Sequence, residues 1–145
     1  MMISTKGRYA IRVMLDLAEH NTSDYIRLKD ISARQGISQK YLESITATLS
    51  KSGLIDGAHG KGGGYRLKRA PEQYTIGEIL RLMEGPLAPV ACLGCEVNTC
   101  ENKASCRTLP MWEKLYKMVN DFFDDITIAD LAKEGADDGF FGACL

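Results

Sequence analysis

The chain has 145 residues, of which 45% are hydrophobic and 26% are charged, and its formal net charge at pH 7 is −1. This length and composition fit one globular domain, or one small domain with an appendage, and exclude a disordered chain. Apolar runs fall short of the roughly 18 to 20 residues that span a bilayer, and charges interrupt the N-terminal segment, so we expect a cytoplasmic protein without a signal peptide or membrane contact.

The N-terminal twenty residues predict an amphipathic helix. Apolar side chains recur at three- and four-residue spacing between Thr5 and His20, and Ser4 or Thr5 can cap the first turn. The polar segment NTSD that follows predicts a loop before the next helix.

The next segment has the pattern of a helix-turn-helix. A short helix over about 28–34 leads into Gln35–Gly36, where glycine permits the positive φ of a tight turn. Ser38 is expected to cap a longer second helix, which Gly53 ends. The buried face of that second helix is predicted to be Leu42, Ile45 and Leu49.

A β-hairpin is predicted directly after these helices. Two strand-like segments, 54–58 and 64–67, enclose the glycine-rich basic tip HGKGGG. Thr75 then caps a short helix that ends at Gly85–Pro86. A hairpin beside a helix-turn-helix makes a winged helix, so the predicted fold is mainly α with a small β-wing. The winged helix-turn-helix DNA-binding domain is predicted over residues 1–85.

Four cysteines lie within fifteen positions of the loop predicted over residues 86–108, and they are Cys92, Cys95, Cys100 and Cys106. Thiolates bind iron–sulfur clusters or zinc, and a reducing compartment disfavours structural disulfides. The spacing is not two C-x2-C pairs. It therefore favours an iron–sulfur cluster over zinc, a metal-free thiol–disulfide switch or inert cysteines. We interpret Cys144 as a lone thiol without a role.

Pro110 is predicted to open a long helix that runs to about Asp125. Its apolar positions are Trp112, Leu115, Tyr116, Val119, Phe122, Phe123 and Ile126. A small domain has little core left to bury so wide a stripe, so we predict half of a homodimer interface rather than packing wholly within one chain. With a short helix capped by Thr127, this dimerisation unit covers 109–133. Residues 134–145 are predicted to be a mobile tail or docking strip.

Basic residues are concentrated in the front half of the chain. Residues 1–70 hold twelve Lys or Arg and six Asp or Glu, whereas the remainder holds six and thirteen. This asymmetry indicates a polyanionic partner for the front half. A helix-turn-helix reads base edges in the major groove with the first residues of its second helix, and two such heads on a dimer read an inverted repeat in double-stranded DNA.

The residues expected to contact DNA lie on the second helix and on the wing tip. They are Ser38, Gln39, Lys40, Tyr41, Glu43 and Ser44 on the helix, and His59 and Lys61 at the minor groove or phosphates. Each of them taken alone also fits an ordinary solvated surface, so the prediction depends on their order with the caps, turn and wing.

The segments STKGRYAIRVMLDLA, ISARQGISQKYLE, GKGGGYRL and ITIADL resemble the bacterial winged-helix regulators of the IscR, NsrR and CymR type over about residues 2–133. The resemblance implies a homodimeric transcription regulator, usually a repressor, whose long C-terminal helices cross at the dimer interface. It also implies a 2Fe-2S or 4Fe-4S cluster held by three cysteines, which fall most naturally on Cys92, Cys100 and Cys106. Such a cluster tunes operator affinity in response to cluster supply, nitric oxide, oxygen or redox state.

The sequence departs from the pattern of that family at three places. Seven residues rather than five separate Cys92 from Cys100, and Cys95 is an additional thiol. Leu109 stands where IscR-type members have a histidine ligand, and His59 stands where a wing arginine is usual. The open alternatives are therefore a fourth ligand from Cys95, a carboxylate, an exogenous group or the partner subunit, and a zinc-bound or thiol-switch regulator or interaction module.

An enzyme is not predicted. The segment GKGGG follows a wing strand and lacks the G-x4-G-K-[S/T] spacing of a phosphate-binding loop. Both histidines, His20 and His59, lie outside the cysteine stretch, and the sequence offers no convincing pair of nucleophile and base.

Overall fold

The computed structural model describes residues 2–20 and 24–136. It contains α1 (Thr5–Glu19), α2 (Leu28–Gln35), α3 (Gln39–Lys51), β1 (Ile55–Ala58), β2 (Gly64–Leu67), α4 (Ile76–Glu84), α5 (Leu109–Asp124) and α6 (Ile128–Ala136). Single 3-10 turns occupy Pro71–Gln73 and Ala91–Leu93. The predicted class, mainly α with a two-stranded antiparallel wing, is confirmed.

Three predictions fall partly or wholly outside the described residues. They concern most of the loop NTSD, the end of the tail from residue 137, and Cys144. Within the described ranges, none of the helices is both long enough and apolar enough to cross a membrane.

The predicted caps begin the helices of the winged domain. The hydroxyls of Ser4, Ser38 and Thr75 each accept a hydrogen bond from the amide three residues later, at 3.1 to 3.2 Å. Each hydroxyl thereby satisfies one of the amides that a first helical turn leaves unpaired. Gly36 ends α2 with a φ of 66°, so the turn between α2 and α3 needs a residue that tolerates the left-handed region.

The core of the winged domain extends into the C-terminal segment. Ile128 of α6 is fully buried, its amide donates to Tyr74 O at 3.0 Å, and the amide of Ile76 donates to Ile126 O at 2.8 Å. These bonds join the start of α4 to the segment between α5 and α6. The sequence placed this segment in a unit of its own behind the winged helix, whereas α6 completes the core of the winged helix.

The apolar stripe of α5 is divided between two sides. Tyr116, Val119 and Phe123 pack against the core of their own chain. The other side is exposed, and it consists of Met111, Leu115, Met118 and Phe122, with exposed fractions from 38% to 61%. Only this second side is left for a partner, because α4 supplies an apolar surface for the first.

A buried carboxylate fixes the helix-turn-helix on α1. Asp16 has no exposed surface and accepts two hydrogen bonds from Arg34, at 2.8 and 3.0 Å. Gln35 Nε2 donates to the same carboxylate at 2.9 Å, and Arg12 Nε donates to Gln35 Oε1 at 3.1 Å. Because an unpaired buried charge is costly, this network holds the end of α2 at one position on α1.

Replacing Arg34 with Met removes the charged partner of Asp16 and leaves Gln35 as its remaining side-chain donor from α2. We expect the free energy of unfolding, measured by urea titration, to fall by about 3 kcal/mol, near the low end for an uncompensated buried charge. The control is Arg27→Met, because the Arg27 side chain is 65% exposed in its pair with Asp30. Its loss should be much smaller, because solvent screens an exposed pair, and equal losses would contradict the role given to Asp16.

Candidate nucleic-acid interface and cysteine loop

The recognition helix α3 presents one apolar and one polar face. Leu42, Ile45 and Leu49 are buried as the sequence predicted. The opposite face is exposed and includes Gln39, Lys40, Glu43 and Ser44. In the part of the chain that the structure describes, none of these four side chains has a hydrogen-bond or ion-pair partner. Their polar groups are therefore free to contact a ligand.

Two other predicted contact residues have structural roles as well. The Ser38 hydroxyl accepts the Tyr41 amide as the cap of α3, so it can offer DNA its proton and one remaining lone pair. The half-buried Tyr41 ring meets the edge of Tyr9 at a centroid distance of 5.7 Å, and the Arg12 guanidinium lies 5.2 Å from the Tyr9 centroid. This packing fixes the direction of Tyr41 relative to α1.

An isolated backbone bridge joins the wing to the segment before α2, and the sequence did not predict it. β1 and β2 pair from Ile55 with Leu67 to Ala58 with Gly64. Ile26 pairs with Tyr65 on the other edge of β2, through two backbone hydrogen bonds of 2.8 Å. A Cβ on Gly64 would lie 2.2 Å from the Ile26 carbonyl oxygen, so this crossing requires glycine. The sequence offered one signal for the bridge, the adjacent strand-forming residue types Tyr25 and Ile26.

Side chains fix the base of the wing. The Tyr25 hydroxyl donates to Asp56 at 3.0 Å, and the Arg66 guanidinium pairs with Asp56 at 3.2 Å while it lies 4.3 Å from the centroid of the Tyr25 ring. The hydrogen bond from Tyr25, and after it the pairing with Arg66, lower the pKa of Asp56 below its ordinary value. The exposed tip residues His59 and Lys61 extend from this anchored base.

Arginines and lysines have different roles in the basic front half. Four arginines form ion pairs with carboxylates, namely Arg27, Arg34, Arg66 and Arg69. Over residues 2–20 and 24–136, the lysines of the front half form no ion pair, and these are Lys6, Lys29, Lys40, Lys51, Lys61 and Lys68. The positive charge that is free to meet a polyanion is therefore carried mainly by lysine.

The structure does not gather the four loop cysteines around one point. Cys92 and Cys106 are half-buried, Cys95 and Cys100 are exposed, and all four are free thiols. Among the described residues, no three side chains of His, Cys, Asp or Glu lie close enough together to hold a metal ion. The donor chemistry of the loop nevertheless fits an iron–sulfur cluster or zinc, since both are held by thiolates.

Cys106 lies three residues before the first residue of α5. The Thr108 hydroxyl oxygen lies 3.4 Å from Cys106 Sγ. This hydrogen bond, and after it backbone hydrogen bonds at Thr108 and Leu109, lower the pKa of the Cys106 thiol below its ordinary value. Leu109 is the first residue of α5, and its side chain carries no donor atom. A fourth ligand would therefore have to come from elsewhere, as the sequence indicated.

Comparison with known proteins identifies the family. A family model described as Rrf2, iron-dependent transcriptional regulator, matches residues 3–134. The chain belongs to the Rrf2 family. It is 37% identical over 134 residues to the HTH-type transcriptional regulator IscR of Vibrio campbellii, which covers 92% of this chain and 79% of that protein. The predicted resemblance is thus confirmed.

Two solved structures of Rrf2-type regulators have the same fold. CymR, the global cysteine regulator of B. subtilis, superposes with a TM-score of 0.75 at 32% identity, covering 92% of this chain and 98% of CymR. The IscR of T. potens gives a TM-score of 0.73 at 34% identity, covering 97% and 92%. This Rrf2 protein is therefore a DNA-binding transcriptional regulator, in a family of regulators rather than enzymes.

Proposed function

We propose that this Rrf2 regulator binds an inverted-repeat operator as a homodimer, and that its cysteine loop, residues 86–108, holds an iron–sulfur cluster whose presence sets operator affinity. The observation that carries the DNA-binding part is the exposed face of α3, where Gln39, Lys40, Glu43 and Ser44 are polar and unpartnered among the described residues. Any one of these residues would suit a solvated surface, but here they lie together at the N-terminal end of the second helix of a helix-turn-helix, where base edges are read.

The side chains of α3 suit the edges of base pairs. Gln39 can form a bidentate pair with adenine, Glu43 can accept from the amino group of cytosine, and Ser44 can donate or accept. Lys40 suits a phosphate oxygen, which fixes register without reading sequence. With α3 in the major groove, the wing tip that carries His59 and Lys61 reaches the flanking minor groove or its phosphates.

Selection from random duplex DNA should enrich an inverted repeat, because two α3 helices related by a dimer axis read the same half-site twice. Gln39→Ala should relax the preference at one base pair of each half-site, at a cost of about 1 to 3 kcal/mol in discrimination. Glu134→Ala, an exposed change on α6, is the control and should leave the selected motif unchanged. Enrichment of unrelated or single sites by the wild type would contradict this part of the proposal.

The exposed side of α5 supports a homodimer. Met111, Leu115, Met118 and Phe122 follow one another at intervals of four, three and four residues, so they form a single apolar stripe along the helix. A contiguous exposed stripe of large apolar side chains marks an interaction site. A second copy of the same helix, related by a two-fold axis and using the same stripe, would cover it.

Met118→Glu places a charge in the middle of this stripe and should shift the protein from about twice the chain mass of 16.0 kDa to the monomer mass in sedimentation or light scattering. Lys117→Glu puts the same carboxylate on the same helix outside the stripe and should leave the dimer intact. A wild-type monomer, or an unchanged mass for Met118→Glu, would reject this interface.

The cysteine loop joins the winged helix directly to the interface helix. Cys106 precedes α5 by three residues, so ligation of its thiol would restrain the first turn of that helix. α5 is in turn held to α4, because Arg81 donates to Asn120 at 2.9 Å and to Asp124 at 2.6 Å. A restraint on α5 can therefore change the relative position of two recognition helices. When bound, an iron–sulfur cluster supplies iron that reacts with oxygen and nitric oxide.

A second candidate function is a metal-free thiol switch. The exposure of Cys95 and Cys100, and the similarity to CymR, the global cysteine regulator, favour this alternative. Oxidation of two loop thiols by a low-molecular-weight disulfide would form one protein disulfide and release two small thiols, with no metal involved. Zinc bound by the same thiols is the remaining alternative.

Protein purified or reconstituted without oxygen should contain iron and sulfide and absorb visible light. We expect Cys106→Ala to abolish both signals, and Ser105→Ala, its neighbour, to retain them. If Cys95→Ala retains iron, sulfide and visible absorption, the ligands are Cys92, Cys100 and Cys106. If it loses them, Cys95 is the fourth ligand. A colourless, iron-free wild type would contradict the proposed cluster. Zinc analysis and thiol titration would then distinguish a zinc site from a metal-free thiol switch.

A further inference from the structure

A cleft runs between the C-terminal half of α3 and the wing, away from the helix positions assigned to base reading. α3 contributes Ala47, Ser50 and Lys51 to its wall, and the wing contributes His59 and Tyr65 above a floor of small β1 residues. Nothing in the recognition of base edges requires this cleft. It therefore needs an explanation of its own.

The cleft is lined by hydrogen-bond donors and by no carboxylate. Ser50 and Tyr65 carry hydroxyls, Lys51 an ammonium and His59 an imidazole. Within the described residues, the side chains of Ser50, Lys51 and His59 make no hydrogen bond or ion pair, and neither does the hydroxyl of Tyr65. Several donors around a small space, with a positive charge and no negative one, match the oxygens of a phosphate.

Glycine keeps this space open. Gly57 is on the floor of the cleft, and a Cβ there would lie 3.1 Å from the Tyr65 ring. A larger residue would meet the ring or occupy the volume beside it. The absence of a side chain thus leaves the Tyr65 face and the neighbouring backbone accessible, as happens where a ligand approaches the main chain closely.

The position of the cleft indicates which phosphate it takes. Lys40, Ser44, Ala47 and Lys51 succeed one another at intervals of four, three and four residues, so Lys51 lies on the same exposed stripe of α3 as the recognition positions. If α3 lies in the major groove and the wing reaches the minor groove, the DNA strand that separates the two grooves crosses between α3 and the wing. That crossing is where the cleft lies.

We propose that this cleft binds one backbone phosphate of the operator, with Lys51 as its cationic contact and with Ser50, His59 and Tyr65 as hydrogen-bond donors. The inference rests on the proposed function, since it assumes α3 in the major groove. It assigns His59 to the phosphate rather than to the minor groove, and it gives the last turn of α3 a part in fixing the register of the protein on DNA.

The test uses the 145-residue chain and the operator obtained by selection. The operator is made as a series of duplexes in which one phosphate at a time is replaced by a neutral methylphosphonate. Lys51→Gln should bind all sequences more weakly, and the slope of log affinity against log salt should become shallower by about 0.9 for each lost contact. At one phosphate in each half-site, the methylphosphonate should weaken the wild type and should weaken Lys51→Gln much less, because the cationic contact to that phosphate is already lost.

Lys133→Gln removes the same charge from an exposed position on α6 and serves as the control. It should keep the salt slope and the full phosphate pattern of the wild type, and thermal unfolding should show that both variants are folded. The cleft is rejected if Lys51→Gln retains wild-type sensitivity at every phosphate, or if both variants weaken binding alike. If the wild type selects no operator, the proposed function is rejected as well. If it selects an operator but Lys51→Gln binds like the wild type, only this inference is rejected.

Discussion

Asp16 carries its carboxylate into the interior between α1 and α2, where no part of the side chain reaches solvent. Arg34 and Gln35, the last two residues of α2, supply the donors that make this burial tolerable. Since Gly36 turns the chain immediately afterwards into α3, the angle of the recognition helix follows from where this one carboxylate holds α2. An apolar contact would permit α2 to slide, whereas a bidentate pair fixes both distance and direction.

The hydroxyl of Tyr74 plays a comparable role for the wing. It is fully buried, donates to Leu54 O at 2.6 Å and accepts from the amides of Lys68 and Arg69 at 3.0 and 2.9 Å. Both ends of the hairpin are thus tied to one atom, while the carbonyl of Tyr74 accepts the amide of Ile128. These bonds connect the wing, α4 and α6, and the hydrogen bonds from Arg81 connect α4 to the interface helix α5.

Local signals in the sequence were sufficient for most of the fold. Caps at Ser38 and Thr75 and the glycine turn at Gly36 depend on neighbouring residues, so they can be predicted from spacing alone. The pairing of Ile26 with Tyr65 joins residues far apart in the chain, and the sequence offered only the strand-forming residue types Tyr25 and Ile26 for it. Asp16 did leave a signal, a charged residue three positions after the buried Val13, but its partner Arg34 could be identified only in three dimensions.

The candidate site was predictable to a different extent in its two parts. Exposure of Gln39, Lys40, Glu43 and Ser44 follows from helical periodicity, which assigns each residue to a face. The arrangement of the cysteines does not follow from any period, because apart from the 3-10 turn Ala91–Leu93 the loop has no regular secondary structure to assign its side chains to a face. Thiol spacing therefore limits which donors are available, whereas the structure of the protein chain by itself leaves them apart.

Composition indicated a basic front half, but it did not distinguish charges that hold the fold from charges that meet DNA. Arginine has a planar fork that can donate two hydrogen bonds to a carboxylate, as Arg34 does to Asp16, and arginines also form the pairs with Asp56 and Glu78. Lysine is a compact charge on a long stem, and it loses less by remaining hydrated until a phosphate arrives. The positive charges of the winged domain thus have two roles. The arginines hold the fold through ion pairs, and the lysines on α3 and the wing are the charges that operator binding would neutralise.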